Sequence, residues 1–442
     1  MSKRDQFASK IGFILAAAGS AIGLGAIWKF PYMAGTNGGS VFIILFILCT
    51  LVIGLPILVA EFMIGRRGQS DAVTSFKKQA PRTPWFLTGW LGFILSGIIL
   101  SFYSVVGGWI LSYLVRAIGF KLSSNDENFF AELFGNLTLN AWEVVLAQGA
   151  FLLIVILIIS SGIQNGVEKA SKWMMPLLFV FFIILAIRSM TLDGAMDGIK
   201  FMFVPDWSYL TGKTLLLALG QAFFSLSVGV AAMLTYASYL KKDVRLGSSA
   251  MNVAWMNIGI SILAGLVIFP AVFALGFSPD QGPGLVFIII PAVFQHIPLG
   301  SIFLIIFFIL LLFATITSAI AMLEIVVATA MGSKFEKRKK YAWLCGIGIF
   351  IIGIPSALSF GKLADVQILG RSIFDFADFF TNSIGMPIGA LLMALFAGYQ
   401  LKRAEQLEEL PVKPWVFTIW RILVRYVAPI AIIIVLYQGI KG

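Results

Sequence analysis

Apolar residues fill the chain in eleven long runs, at about 11–34, 40–65, 86–117, 142–160, 166–188, 212–239, 249–276, 301–331, 341–359, 372–400 and 414–438, with polar residues gathered between them. A run of roughly 20 apolar residues crosses a ~30 Å hydrocarbon core as an α-helix. The pattern predicts an all-α polytopic membrane protein with eleven spans. The first run is too long for a cleaved leader and is read as a span.

Two of these runs are interrupted by residues that hold a helix poorly. The first carries Gly19-Ser20-Ala21-Ile22-Gly23-Leu24-Gly25, three glycines and a serine in seven residues. Each interior Gly costs about 1 kcal/mol relative to Ala. A broken helix in hydrocarbon leaves backbone polar groups unsatisfied at several kcal/mol each unless something polar fills the gap. Close packing against another helix explains such a stretch too. The sixth run carries Phe224-Ser225-Leu226-Ser227-Val228-Gly229. Interruptions at matching positions of two halves point to an inverted-repeat transporter with a midplane site. On this reading residues 1–400 form one transporter domain, with repeats at about 11–190 and 210–400. Residues 401–442 add a cytoplasmic loop and the eleventh helix.

Composition agrees with the pattern. The 442 residues are 59% hydrophobic and 12% charged, with mean hydropathy +0.96, against about 25% charged in soluble chains. The net charge of +11 does not imply nucleic acid, because the basic residues fall in short loops. Roughly two thirds of the 32 Lys and Arg lie on one side of the predicted spans, which predicts a cytoplasmic N-terminus, an outside C-terminus and a multi-pass protein of the plasma (inner) membrane. Cys49 and Cys345 lie in apolar runs, with no metal-ligand spacing and no expected disulfide, and His296 sits in a Pro-bounded loop. No nucleophile–base pair or phosphate loop is present, so no enzyme is predicted.

Polar residues inside the spans narrow the chemistry. Tyr103 lies in the third, Asn257 and Ser261 in the seventh, and Thr315, Thr317 and Ser318 in the eighth. Asn257 and Ser261 share a helix face, as do Ser318 and Met322. Neutral oxygens so placed suit a hard monovalent cation. Glu61 and Glu324 are also intramembrane; bracing between helices accounts for them as well as ion binding does.

The stretches AGSAIGLGAIWKFPY and NGGS, then GQAFFSLSVG, TYASYLKKD and ATITSAIAMLE, resemble the neurotransmitter:sodium symporter family over about residues 4–400. The resemblance implies the LeuT-like fold and is greatest to bacterial members that carry hydrophobic amino acids. By that resemblance, the amides of Leu24 and Gly25 and the hydroxyl of Tyr103 meet a substrate carboxylate. The carbonyls of Ala21, Phe224 and Ser225 and the hydroxyl of Ser227 meet its ammonium. Ser20 and Gly23 belong to the same pocket, and Ile99, Val230, Ser318 and Met322 line the side-chain end. Gly23 stands where monoamine-carrying relatives have an aspartate, which implies a substrate that brings its own carboxylate.

Two sodium ions are implied. One site uses Ala21, Ser225, Asn257 and the substrate carboxylate; it departs from the family at Ala26, where relatives place a ligating Asn. The other uses the carbonyls of Gly19, Ile22 and Ala314 with the hydroxyls of Thr317 and Ser318. Gln221, Ser225 and Ser261 match the chloride ligands of animal relatives, but Phe46 replaces a Tyr, which counts against chloride dependence. Outer gating is assigned to Lys29, with Asp378 or Asp375 through water, above a lid of Phe224 and Tyr103. Inner gating is assigned to Arg4 and Phe7 beside Ser238 and Tyr239, with Glu336 standing in for an acid replaced by Gly332. Gly166 and Pro176 mark the fifth span as one that unwinds or kinks at its start.

The expected function is sodium-coupled symport of neutral hydrophobic L-amino acids into the cell. The alternatives are a proton-coupled carrier on the same fold, kept open by Glu61 and Glu324, and a channel or membrane receptor. The expected partners are the small-molecule amino acid and the lipid bilayer; no oligomeric state is assigned.

Overall fold

The computed structural model describes residues 5–122, 128–276, 284–295 and 297–441. Arg4 and His296 lie outside the described residues. Nine helices among them are long and apolar enough to cross a membrane. A tenth span is the bent pair Lys10–Ala21 and Gly25–Thr36, whose axes differ by 54°. The sixth apolar run is also divided, into Gly212–Ser225 and Ala232–Ala237. Neither half alone reaches the ~20 residues a crossing needs.

Local chemistry explains the breaks. The first helix starts with Ser9 accepting from the Gly12 amide at 3.0 Å and ends at the glycine-rich stretch. Ile22 still donates to Ala18 at 2.7 Å, and regular winding then stops until Gly25. In the sixth run Ser227, Gly229 and Ala231 all have positive φ, at 52°, 92° and 63°. Such angles are strained for Ser and Ala. Gly229 is needed on a second count, because its Cα faces the Met386 carbonyl and the Ala390 amide with no room for a Cβ.

The broken helices are central. Nine of the twelve residues of Lys10–Ala21 are buried, and the third and eighth spans, Phe86–Ile118 and Gly300–Met331, pack extensively against each other. The third buries 78% of its most apolar window, whereas Pro414–Ile440 buries 28%. The last span is peripheral, with its side chains turned outward.

Glu61 and Glu324 act as braces. The Glu61 carboxyl accepts from the Gly229 amide at 2.6 Å and from Leu234 at 3.4 Å, satisfying backbone that the sixth-helix break exposes. Glu324 accepts from the Tyr239 hydroxyl at 2.5 Å and is paired with Arg338. At the fifth span Gly166 marks an irregular start. It lies in a π-helical turn, Ile163–Glu168, pressed on the Ile158 carbonyl, and the helix runs through Pro176 to Met190. Short elements absent from the sequence reading also appear: the helices Phe129–Leu139 and Ile290–Gln295, and a two-residue hairpin pairing Gln367–Ile368 with Arg371–Ser372.

Candidate functional site

The two breaks face each other across a cavity of about 40 Å³. Its walls are Ser20, Ala21, Gly23, Leu24 and Gly25 from the first span, Phe224, Ser227 and Val230 from the sixth, Ile99 and Tyr103 from the third, and Ser318 and Met322 from the eighth. Phe102 and Met386 complete it and were not singled out in the sequence. Phe102 is the neighbour of Tyr103, and Met386 follows an irregular π-helical turn, Phe380–Gly385; neither carries a polar signal of its own.

Polar groups are concentrated at one end. The Leu24 amide donates to the Tyr103 hydroxyl at 3.3 Å, at the start of the second half-helix, where free amides and the helix dipole favour an anion. The Ser227 hydroxyl donates to the Ser20 carbonyl at 2.9 Å and so ties the two breaks together. Gly23 has no room for a side chain: a Cβ there would lie 2.8 Å from the Tyr103 hydroxyl and against the Ser318 hydroxyl. At Gly25 a Cβ would meet the Phe224 ring at 2.7 Å.

Oxygens cluster at two points beside the cavity. Ser318 Oγ lies 3.2 Å from the Gly19 carbonyl and 3.1 Å from that of Ser20, while a Cβ at Gly19 would be 2.9 Å from Thr317 Cβ. The Thr317 hydroxyl donates to the Phe313 and Ala314 carbonyls, both at 3.0 Å, which leaves its lone pairs free for a cation. Ile22 is buried at the same break. At the second point Ser225 Oγ donates to Asn257 Oδ1 at 2.8 Å, and the Ala21 carbonyl accepts from Gly23 at 3.1 Å. Asn257 Nδ2 and Gln221 Oε1 are buried without a hydrogen-bond partner.

The donors that match a chloride site are engaged by the protein. Gln221 Nε2 donates to the Gly25 carbonyl at 2.6 Å, Ser225 to Asn257, and Ser261 to the Asn257 carbonyl at 3.0 Å. Phe46 packs on Phe30, with ring centres 4.8 Å apart.

Phe224 and Met386 also line a second cavity of about 490 Å³, with Lys29, Arg371, Phe379 and Asn382 among its walls. Lys29 Nζ stands 4.4 Å over the Phe224 ring, a cation–π contact. Asp378 accepts from Asn382 Nδ2 at 2.5 Å, and Asp375 from Ser372 at 2.7 Å. Among the described residues neither aspartate forms a direct ion pair with Lys29.

On the N-terminal face, Phe7 is buried edge-on against Tyr236 and Tyr239, and its amide donates to the Tyr239 carbonyl at 3.2 Å. Asp5 accepts from the Ile163 amide at 2.6 Å, and Glu168 from Ala8 and Ser9 at 2.7 and 2.8 Å. Glu336 is exposed and outside this network; Glu324 is the acid that meets Tyr239.

A family model described as the sodium:neurotransmitter symporter family matches residues 4–132 and 132–442. A sodium-dependent transporter of Bacillus subtilis (strain 168) is 49% identical, over 98% of this chain and 97% of its own. One of Haemophilus influenzae is 36% identical, over 99% and 98%. Among solved structures, MhsT in complex with L-phenylalanine superposes with a TM-score of 0.92 at 46% identity, covering 99% of this chain and all of its own. Breaks at the first and sixth helices, oxygen clusters beside them and these relatives converge: the chain belongs to the sodium:neurotransmitter symporter family, a sodium-dependent multi-pass membrane transporter with the LeuT fold.

Proposed function

We propose that the protein couples inward sodium flow to uptake of neutral hydrophobic L-amino acids by alternating access. The observation that carries this is Gly23, packed against the Tyr103 and Ser318 hydroxyls. No carboxylate can stand there, so an amine is not recognised by a side-chain acid and the substrate supplies its own anion. The apolar remainder of the cavity, Ile99, Phe102, Val230, Met322 and Met386, suits an apolar side chain, and Met adapts to several shapes. The L-phenylalanine held by MhsT agrees with this class.

In this reading the amides of Leu24 and Gly25 and the Tyr103 hydroxyl hold the carboxylate. The carbonyls of Ala21, Phe224 and Ser225 and the Ser227 hydroxyl hold the ammonium. One sodium sits among Gly19, Ile22, Ala314, Thr317 and Ser318. A second takes Ala21, Ser225, Asn257 and the substrate carboxylate, so that ion and substrate each complete the other's site. With a zwitterionic substrate, two ions crossing 100 mV contribute about 4.6 kcal/mol, roughly a 2,000-fold concentration of substrate. Lys29 with Asp378 works the outer side and Phe7 with Tyr239 the inner. Residues 1–400 form the transporter domain, with the N-terminus cytoplasmic and the C-terminus outside.

A proton-coupled carrier would need Glu61 or Glu324 as its relay, and both are engaged in structural contacts, Glu61 with the Gly229 amide and Glu324 with the Tyr239 hydroxyl and Arg338. Uptake of labelled L-phenylalanine into proteoliposomes under a sodium gradient, with no pH gradient, tests the proposal. Saturable uptake and counterflow are expected; uptake that persists in choline and collapses without a proton gradient would overturn it.

A further inference from the structure

Three arginines converge where the eleventh span meets the segment before it. Arg421 and Arg425 lie one turn apart in Pro414–Ile440, Arg403 comes from the short helix Arg403–Glu409, and together they line a cavity of about 190 Å³. That is well above the ~10–15 Å³ that a single water molecule needs. The Nε atoms of Arg421 and Arg425 are buried and have no hydrogen-bond acceptor.

Among the described residues no carboxylate lies within 4.0 Å of any of the three guanidinium groups. The acids of the same segment are committed elsewhere. Glu409 pairs with Arg66 at 2.6 Å, Glu405 with Arg67 at 2.5 Å, and Glu408 with Arg67 and Lys242 at 3.5 and 3.4 Å. Two of the three stand over rings: Arg425 lies 4.5 Å over Tyr399 and Arg403 6.0 Å over Phe417.

Position makes this costly. Arg421 and Arg425 lie ~10 and ~16 Å along the helix from Pro414 at 1.5 Å per residue, on a span whose neighbouring side chains Ile422 and Tyr426 are exposed. Orientation by basic loops accounts for Lys402 or Lys413, but not for two arginines inside a span. Unpaired charges at that depth are expensive, and like charges one turn apart repel.

We infer that this cleft binds the phosphate of an anionic phospholipid headgroup. Guanidinium forks match phosphate oxygens two at a time, basic pockets between membrane helices take such headgroups, and the exposed apolar face beside the cleft offers a surface for the acyl chains. Bound there, the headgroup joins the last helix to the segment 401–413, which is itself fastened to the second span through Arg66 and Arg67.

The test is native mass spectrometry of the full-length protein in detergent, titrated with phosphatidylglycerol or phosphatidylcholine. Wild type is expected to retain one phosphatidylglycerol in preference to phosphatidylcholine. Each basic residue near an anionic surface contributes about fivefold in affinity, so Arg421→Gln/Arg425→Gln is expected to weaken retention roughly thirtyfold. Arg403→Gln, on an exposed helix whose loss of charge leaves the span untouched, is expected to weaken it about fivefold and keeps the test valid if the double variant does not fold. Equal retention of the two lipids, or retention unchanged in Arg403→Gln, overturns the inference. So does complete displacement by millimolar inorganic phosphate, which would assign the cleft to a free anion.

Discussion

Glu61 and Gly229 are joined by a hydrogen bond of 2.6 Å, the carboxyl of the second span accepting the amide that the sixth-helix break leaves without a helical partner. The same carboxyl reaches Leu234 at 3.4 Å, so one buried side chain supports the start of the resumed helix. Glu61→Gln keeps the shape but turns an NH₂ toward one of these amides. A buried donor left without an acceptor costs about 1–3 kcal/mol. A lower melting temperature in detergent is expected, with weaker substrate binding because Ser227 and Val230 lie in the same turn. An unchanged melting curve would dismiss this bracing role.

Gly23 carries the substrate-class argument. Gly23→Asp places a carboxylate beside the substrate's own in a low-dielectric site, where repulsion is strong, and it collides with Tyr103 and Ser318. Binding of L-phenylalanine, followed by scintillation proximity, is expected to disappear. Wild-type affinity in this variant would refute the placement of the carboxylate.

Thr317 and Ser318 are the hydroxyls beside the Gly19 carbonyl. Removing both, in Thr317→Ala/Ser318→Ala, is expected to raise the sodium concentration for half-maximal uptake by about tenfold or more, the loss of roughly 1.4 kcal/mol of ion binding. Substrate affinity at saturating sodium should move less. A sodium titration that overlays the wild type would remove these hydroxyls from the ion site.

Tyr239 donates to Glu324 at 2.5 Å and Phe7 packs on its ring, the group proposed above to work the inner side. Tyr239→Phe keeps the ring and deletes the hydrogen bond. Losing about 1–2 kcal/mol from the closed inner face shifts the equilibrium toward inner opening by roughly five- to thirtyfold. Faster deuterium uptake over residues 5–13 is expected, and uptake rates equal to wild type would exclude the bond as a latch.

Much of the site was legible because its signals are local. A glycine-rich stretch breaks a helix wherever it lies, and oxygens four residues apart share a helix face whatever packs against it. Gly23, Tyr103, Ser227, Thr317 and Ser318 could therefore be named from spacing and from the family motifs. The line was harder to draw for Glu61 and Glu324, since the cost of an intramembrane carboxyl marks it as special without saying what it holds. Phe102 and Met386 look like any other apolar residue of a span.

Hydrophobic length and backbone propensity act over a few turns, so the class, the apolar runs, the two breaks and the chemistry of the residues at them are properties of the sequence alone. Only the tertiary structure decided which groups meet. Glu61 reaches Gly229 across 168 positions and Tyr239 reaches Glu324 across 85, while Arg403 joins Arg421 and Arg425 at a cleft with no acid. Such pairings depend on how helices pack side by side, and in a chain so uniformly apolar the hydrophobic pattern that specifies each helix is nearly silent about its neighbours.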